Sequence, residues 1–190
     1  MASMIPNCIS YDPTYAYEMA TIIEDGIKRM HTNKENVFYY ITALNENYKH
    51  PEIPSDVKKE DILKGMYLFK EFRKKGKATV QLFGSGSILN ETIKAAKILS
   101  EDFGIDSDVW SITSYSEIQR NGAEILRWNQ LHPDKKPKKT YIQKCLKGRS
   151  GPIIAASDYI RSHIDQIRPY VENSFYTLGT DGYGRSDTRK

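Results

Sequence analysis

From residue 78 onward, short β-branched or apolar runs alternate with amphipathic ones, and that alternation narrows the available folds more than any other feature. Residues 78–83, 108–113, 152–156 and 175–178 read as strands. Between the first two, Ser87 can cap a helix that aligns Leu89, Ile93, Ala96, Leu99 and Phe103 and closes at Gly104. Ser116 with Gln119 fits a capping box, opening a helix to about residue 131. Residues 141–146 suit a short helix, and Ser157 or Asp158 caps another to about residue 168. Strands alternating with helices predict an α/β fold with a mostly parallel sheet.

The first 60 residues differ. Asp12 is a helix cap and Pro13 suits a first helical position, where its missing N–H costs nothing. Ala16, Met19, Ala20, Ile23, Ile27 and Met30 then form one apolar stripe, which predicts a helix ending near Met30 with that stripe inward. Residues 36–42 read as a strand and 45–51 as a polar loop. Pro51, Pro54 and Ser55 mark a linker, and the charged run 61–75, with Gly65 inside it, reads as helical. One helix and one strand do not complete a sheet, and the chain stops after the glycine-rich run 179–187. Both ends are expected to be cut from something larger.

The net charge of +4 over 190 residues is uneven: residues 1–60 carry 6 Lys/Arg against 9 Asp/Glu, and residues 61–190 carry 22 against 15. Lys135-Lys-Pro-Lys-Lys139 is a charge run with Tyr141 as its only nearby aromatic. Without an RNP, KH or helix-turn-helix pattern it reads as a solvated loop, and no nucleic-acid partner is expected. No apolar run approaches the roughly 18 residues of a membrane span, so no membrane partner is expected. The start, MASMIPNCIS, lacks the basic and apolar regions of a secretory signal, so a cytoplasmic location is expected. Cys8 and Cys145 lie far apart and indicate neither a disulfide scaffold nor a zinc knuckle.

Several segments carry candidate chemistry. Gly84-Ser-Gly86 resembles half a dinucleotide fingerprint, but Leu89 stands where the third glycine belongs. A tight strand-to-helix turn is the simpler reading than an anion cradle. Thr180-Asp181-Gly182 cannot open a magnesium–diphosphate motif, which needs an Asn well downstream, because only eight residues follow Gly182. His132, in Trp128-Asn-Gln-Leu-His-Pro133, reads as a helix-terminal cation or cap. Asn45-Glu-Asn-Tyr-Lys-His50 gathers six polar groups after a strand, where open α/β sheets bind ligands. A solvated loop held by local hydrogen bonds competes with that reading, and spacing alone leaves both open. No Gly-x-Ser-x-Gly occurs, and no His, Asp or Glu group has metal-ligand spacing.

Taken together, six segments in order resemble the C-terminal part of the homodimeric pyruvate dehydrogenase family, the thiamine-diphosphate component of the bacterial pyruvate dehydrogenase complex. They are Ile5-Pro-Asn-Cys-Ile-Ser-Tyr-Asp-Pro13, Tyr39-Tyr-Ile-Thr42, Leu44-Asn-Glu-Asn-Tyr48, Gly84-Ser-Gly-Ser-Ile-Leu89, Arg127-Trp-Asn-Gln-Leu-His-Pro133 and Gly179-Thr-Asp-Gly-Tyr-Gly-Arg-Ser-Asp187. The resemblance runs from Ile5 to Arg189, yet the family polypeptide is several times longer. It implies residues 1–51 as the end of a middle, pyrimidine-binding-type domain, 52–76 as a linker and helix, and 77–190 as a truncated transketolase C-terminal-type domain. The implied architecture is thus a mostly parallel α/β sheet preceded by a helix–strand remnant.

The implied chemistry is decarboxylation of pyruvate on thiamine diphosphate, with Mg bound elsewhere in the enzyme. The resulting enamine reductively acetylates the lipoyl group of an acyltransferase component. The implied partners are the remaining domains, a second copy in a homodimer and that acyltransferase; the cofactor and metal residues lie outside this chain. The family's loop carries a His after Asn-Glu-Asn-Tyr that reaches the substrate end of the site. Here that position is Lys49, the imidazole follows at His50, and Pro51 stays in register. A one-residue shift on extended chain turns a side chain to the other face, so either Lys49 serves as a cation or the loop brings His50 in. Glu46 and Tyr48 are the expected supports, and Gly182 and Gly184 would let the C-terminal loop turn. The chain alone is expected to be inactive. The alternative is a non-catalytic module for dimerisation or partner binding.

Overall fold

The computed structural model describes residues 4–45, 47–74 and 79–182. Its main sheet has five strands, in spatial order β3 (Met66–Phe72), β5 (Asp106–Ile112), β4 (Thr79–Gly84), β6 (Ile153–Ile160) and β7 (Phe175–Thr180). β4 runs parallel to β5 on one side and to β6 on the other. β7 extends the parallel set beyond β6. The expected α/β fold with a mostly parallel sheet is therefore present. Side-chain alternation builds a core on each face. Phe83, Trp110 and Ile112 pack with Tyr115, Ile118 and Ile164 on one side. Val80, Leu82 and Val109 pack with Leu89 and Ala96 on the other. Leu89 and Ala96 belong to α3 (Ile88–Asp102), and Tyr115 and Ile118 to α4 (Tyr115–Leu131). Phe103, expected on the inner stripe of α3, is instead exposed beyond its end. Gly104 closes α3 at φ +63°, as read.

The charged run 61–75 departs from expectation. Its helix is only α2 (Lys59–Leu63), and β3 (Met66–Phe72) follows, antiparallel to β5. Gly65 makes the switch at φ +99°, where a Cβ would stand 2.4 Å from the Ser114 carbonyl oxygen. Tertiary contacts override the run's helical character. Asp108 is fully buried on β5 and needs counter-charges. Arg73, just after β3, supplies one at 2.5 Å and Arg149 another at 2.9 Å. Gln81 adds an Nε2–H donor at 3.0 Å.

The N-terminal segment is a β-α-β unit rather than a helix and a strand. β1 (Cys8–Tyr11) pairs in parallel with β2 (Phe38–Ile41), from Cys8 opposite Phe38 to Tyr11 opposite Ile41. Four residues just behind the chain start carry too little pattern to read as a strand. Between them lies α1 (Ala16–Ile27), whose last turns widen into a π-helical segment, Lys28–Thr32. The buried face of α1 is Glu18, Thr21, Ile22 and Gly26. The predicted stripe points outward: Ile23, Ile27 and Met30 are exposed. Gly26 explains the orientation, because a Cβ there would stand 3.3 Å from the Tyr39 ring of β2. Ile9, Tyr11 and Ile22 then pack with Ile62 and Tyr67, joining this unit to the main sheet.

Three caps also move. Tyr15 rather than Asp12 precedes α1, and Ser114 rather than Ser116 caps α4 by accepting the Glu117 N–H. β6 continues through residues 157 and 158, so α6 (Arg161–Asp165) starts late and neither Ser157 nor Asp158 caps it. The short helix α5 (Tyr141–Cys145) stands as read, capped by Thr140.

Candidate functional site

Residues 47–51, beyond the C-terminal end of β2, fold over the start of α1. The Tyr48 hydroxyl donates to the Thr14 carbonyl. His50 Nδ1 accepts the Ala16 backbone N–H at 3.1 Å, one of the first N–H groups of α1. In the neutral ring this fixes the tautomer: Nδ1 accepts, so Nε2 carries the proton as a donor. Tyr15 lies edge-on to both rings, 6.2 Å from Tyr48 and 6.3 Å from His50. Tyr48 and His50 are themselves 5.0 Å apart. Lys49, between them, is exposed. Tyr48 and His50 thus come together, and Lys49 does not join them. Glu46 lies outside the described residues.

Beneath the loop sits a carboxylate that periodicity did not single out. Glu18 is fully buried. Its Oε2 accepts the Thr14 and Tyr15 backbone N–H groups at 2.5 and 2.8 Å. Its Oε1 accepts the Tyr67 and Ser111 hydroxyls at 2.5 and 2.6 Å. Burial pushes the Glu18 carboxyl up, and these four donors pull against that. One side chain therefore ties the start of α1 to β3 and β5. Its available signal was positional, an acid three residues after the cap. The aromatic Tyr15 at the cap hides the usual Ser/Thr form. Burial also pushes the Tyr15 hydroxyl up to about 12.

The Gly84-Ser-Gly86 turn is closed by the chain itself. Gly86 donates its N–H to the Asp12 carbonyl at 3.2 Å, and the Thr14 hydroxyl donates to the Gly86 carbonyl at 2.7 Å. A Cβ on Gly86, at φ +52°, would meet both Asp12 carboxylate oxygens at 2.9 Å. The packed-turn reading is the one present. Asp12 accepts hydroxyl hydrogen bonds from Thr42 and Tyr159, while burial pushes its carboxyl up. His132 is structural, as read. Its ring stacks on Trp128 at 4.3 Å, and Nδ1 is 2.8 Å from the Trp128 carbonyl oxygen. Gly182 adopts φ +85°, and Gly184 lies outside the described residues. Cys8 and Cys145 are free. No helix among the described residues is long and apolar enough to cross a membrane.

Comparison with known proteins divides the chain at this same loop. Residues 1–51 match the pyruvate dehydrogenase E1 component middle domain, and residues 65–190 the transketolase-like TK C-terminal domain. The pyruvate dehydrogenase E1 component of Pseudomonas aeruginosa is 52% identical over 191 residues, covering 100% of this chain and 22% of its own length. That of Escherichia coli K12 is 50% identical over 188 residues, covering 98% and 21%. The chain thus spans about a fifth of the length of these curated relatives. Among solved structures, transketolase from Leishmania mexicana superposes with a TM-score of 0.61 at 17% identity, over 96% of this chain and 22% of that one, which is a likeness of fold. The chain belongs to the transketolase-like TK C-terminal domain family, joined at its N-terminal end to a segment of the pyruvate dehydrogenase E1 middle domain.

Proposed function

We propose that this chain is the C-terminal portion of a thiamine-diphosphate-dependent pyruvate dehydrogenase component. In this reading it presents the 45–51 loop to the substrate end of an active site whose other walls come from further domains. The observation that carries it is the match, at about half identity, to such components along the whole chain. The exposed apolar residues of the N-terminal unit support a role within a larger body: Ile27 on α1 and Phe38 and Tyr40 on β2 are 58%, 44% and 55% exposed. The division into 1–51, 52–76 and 77–190 is part of the proposal.

The residues present do not fit the cofactor's diphosphate. Among the described residues, the one glycine-rich turn leading into a helix is closed by Asp12, whose carboxylate would repel a phosphate. Among the described residues no group of His, Cys, Asp and Glu could hold a metal ion. Thiamine diphosphate and Mg belong, in this reading, to the other domains, and the isolated chain is inactive. The partners are those domains, a second copy and a lipoyl-bearing acyltransferase that takes up the acetyl group in the cytoplasm. Within the loop, His50 is the oriented donor. Its Nδ1 is held by Ala16, so Nε2–H is free to meet a substrate oxygen, and Lys49 adds a cation beside it.

The test is a chimera in which this chain replaces the C-terminal fifth of the Pseudomonas aeruginosa relative. With thiamine diphosphate, Mg and pyruvate, the chimera should release CO2 and the chain alone should not. A chimera that is folded and dimeric yet releases none overturns the assignment. Release by the chain alone overturns the division of labour. His50→Ala in the chimera should lower kcat by about 100-fold, with Lys49→Ala costing less; the reverse order would give the role to Lys49.

A further inference from the structure

The basic run Lys135–Lys139 is neither loose nor isolated. Residues 135–149 hold seven Lys/Arg and no Asp/Glu, so the whole positive excess of residues 61–190 sits in this one segment. Arg149 turns inward to Glu71 and Asp108. Lys135, Lys136, Lys138, Lys139, Lys144 and Lys147 are exposed. The loop carrying the first four is pinned to α4. Asn129 donates to the Lys138 carbonyl at 3.0 Å and accepts the Lys138 N–H at 2.8 Å. The Lys138 ammonium lies 3.7 Å from the centre of the Trp128 ring.

Three of these cations, Lys138, Lys139 and Lys147, line a groove between α4, α5 and the 3-10 turn Arg168–Tyr170. It consists of two adjoining hollows of about 440 and 270 Å³ that share Lys139, Gln143 and Tyr170. Its floor is apolar: Leu126, Leu146, Pro169, Tyr170 and Val171. Tyr170 is seated against Gly122, where a Cβ would stand 2.5 Å from its ring. Glu172 is the one acidic residue lining the groove, exposed and 4.0 Å from Lys139. A fixed apolar floor under a net-positive rim fits a chain segment that carries both apolar side chains and carboxylates. Nucleic acid fits less well. The Trp128 face on α4 is already taken by His132 and Lys138, and the Tyr170 ring is seated against Gly122.

We propose that this groove is a docking site for an acidic, partly apolar segment of another polypeptide. The proposal stands apart from the catalytic reading, since the groove shares no residue with the 45–51 loop. The probe is a fluorescein-labelled peptide of about twelve alternating Glu and Leu residues, titrated with the chain in a polarisation assay. Binding should weaken at least about tenfold in Lys139→Glu/Lys147→Glu and as salt is raised. It should also weaken when the peptide's Glu are changed to Gln, and again when its Leu are changed to Ser. The two peptide variants keep the test valid if the charge-reversed chain misfolds. Equal binding of the Gln peptide, or of the Ser peptide, would overturn the proposal, as would a labelled oligothymidylate binding more tightly than the Glu–Leu peptide.

Discussion

Removing the Glu18 carboxylate should loosen the junction that holds the candidate loop, and the size of the effect follows from its four hydrogen bonds. In Glu18→Ala the Thr14 and Tyr15 N–H groups and the Ser111 hydroxyl lose their acceptor. Tyr67 is better placed, because its hydroxyl is also 2.5 Å from that of Tyr17. An unsatisfied buried donor costs about 1–3 kcal/mol. Three of them, less the relief of no longer burying a carboxyl, give a net loss of about 3 kcal/mol. Glu18→Gln should recover most of this and cost about 1 kcal/mol. Its amide oxygen still accepts both backbone N–H groups, and its NH2 can donate to the two hydroxyl oxygens. Urea unfolding at neutral pH reads both values, with m unchanged. Amide exchange at Ala16, the His50 partner, should quicken in Glu18→Ala. A loss below about 1 kcal/mol for Glu18→Ala, or equal losses in the two variants, would refute the reasoning.

Two further outcomes follow from the packing. Burial holds His163 below the usual imidazole range, with Tyr115 and Tyr159 against its ring. Its stabilising contribution is therefore full above the unfolded value and lost as pH falls through the folded one. Between about pH 7 and 5 the melting temperature of the wild type should fall more than that of His163→Phe; parallel curves would contradict this. Gly86→Ala and Gly104→Ala both place a side chain at positive φ, worth about 1–2 kcal/mol. Only Gly86 faces an obstacle, the Asp12 carboxylate, whereas nothing lies within 4 Å of a Cβ at Gly104. Gly86→Ala should therefore be the more destabilising in thermal melts, and equal effects would remove Asp12 from the account of that turn.

The parallel sheet was legible because each of its strands is a short apolar or β-branched run with turn residues at its ends. The run Asp106–Ile112 shows the limit. Its polar residues are buried, and partners far away in sequence make that acceptable: Arg73, Arg149 and Gln81 at Asp108, the Lys74 N–H at Asp106 and Glu18 at Ser111. The stripe on α1 misled for a similar reason. Periodicity reports that a helix has two unlike faces, and Ile23 and Ile27 marked one of them clearly. Which face lies against β2 was decided by Gly26 and the Tyr39 ring, a contact that periodicity cannot register. At the candidate loop, Tyr48, Lys49 and His50 were found from residue types and resemblance. The capture of His50 by a helix N-terminus depends on how the loop folds back.

The bonds that tie the N-terminal unit to the main sheet also bear on the order in which the chain acquires structure. The Asp12 N–H donates to the Thr113 carbonyl, the Ser114 hydroxyl to the Ser10 carbonyl, and the Ser111 hydroxyl to Glu18, pairs separated by 93 to 104 residues. A two-stranded parallel sheet with one helix is too small to persist in water unaided. During synthesis β1, α1 and β2 leave the ribosome before β5, so these bonds close only once β5 has emerged and found β4. Until then the face of Ile9, Tyr11 and Ile22 that packs on Ile62 and Tyr67 lacks those partners.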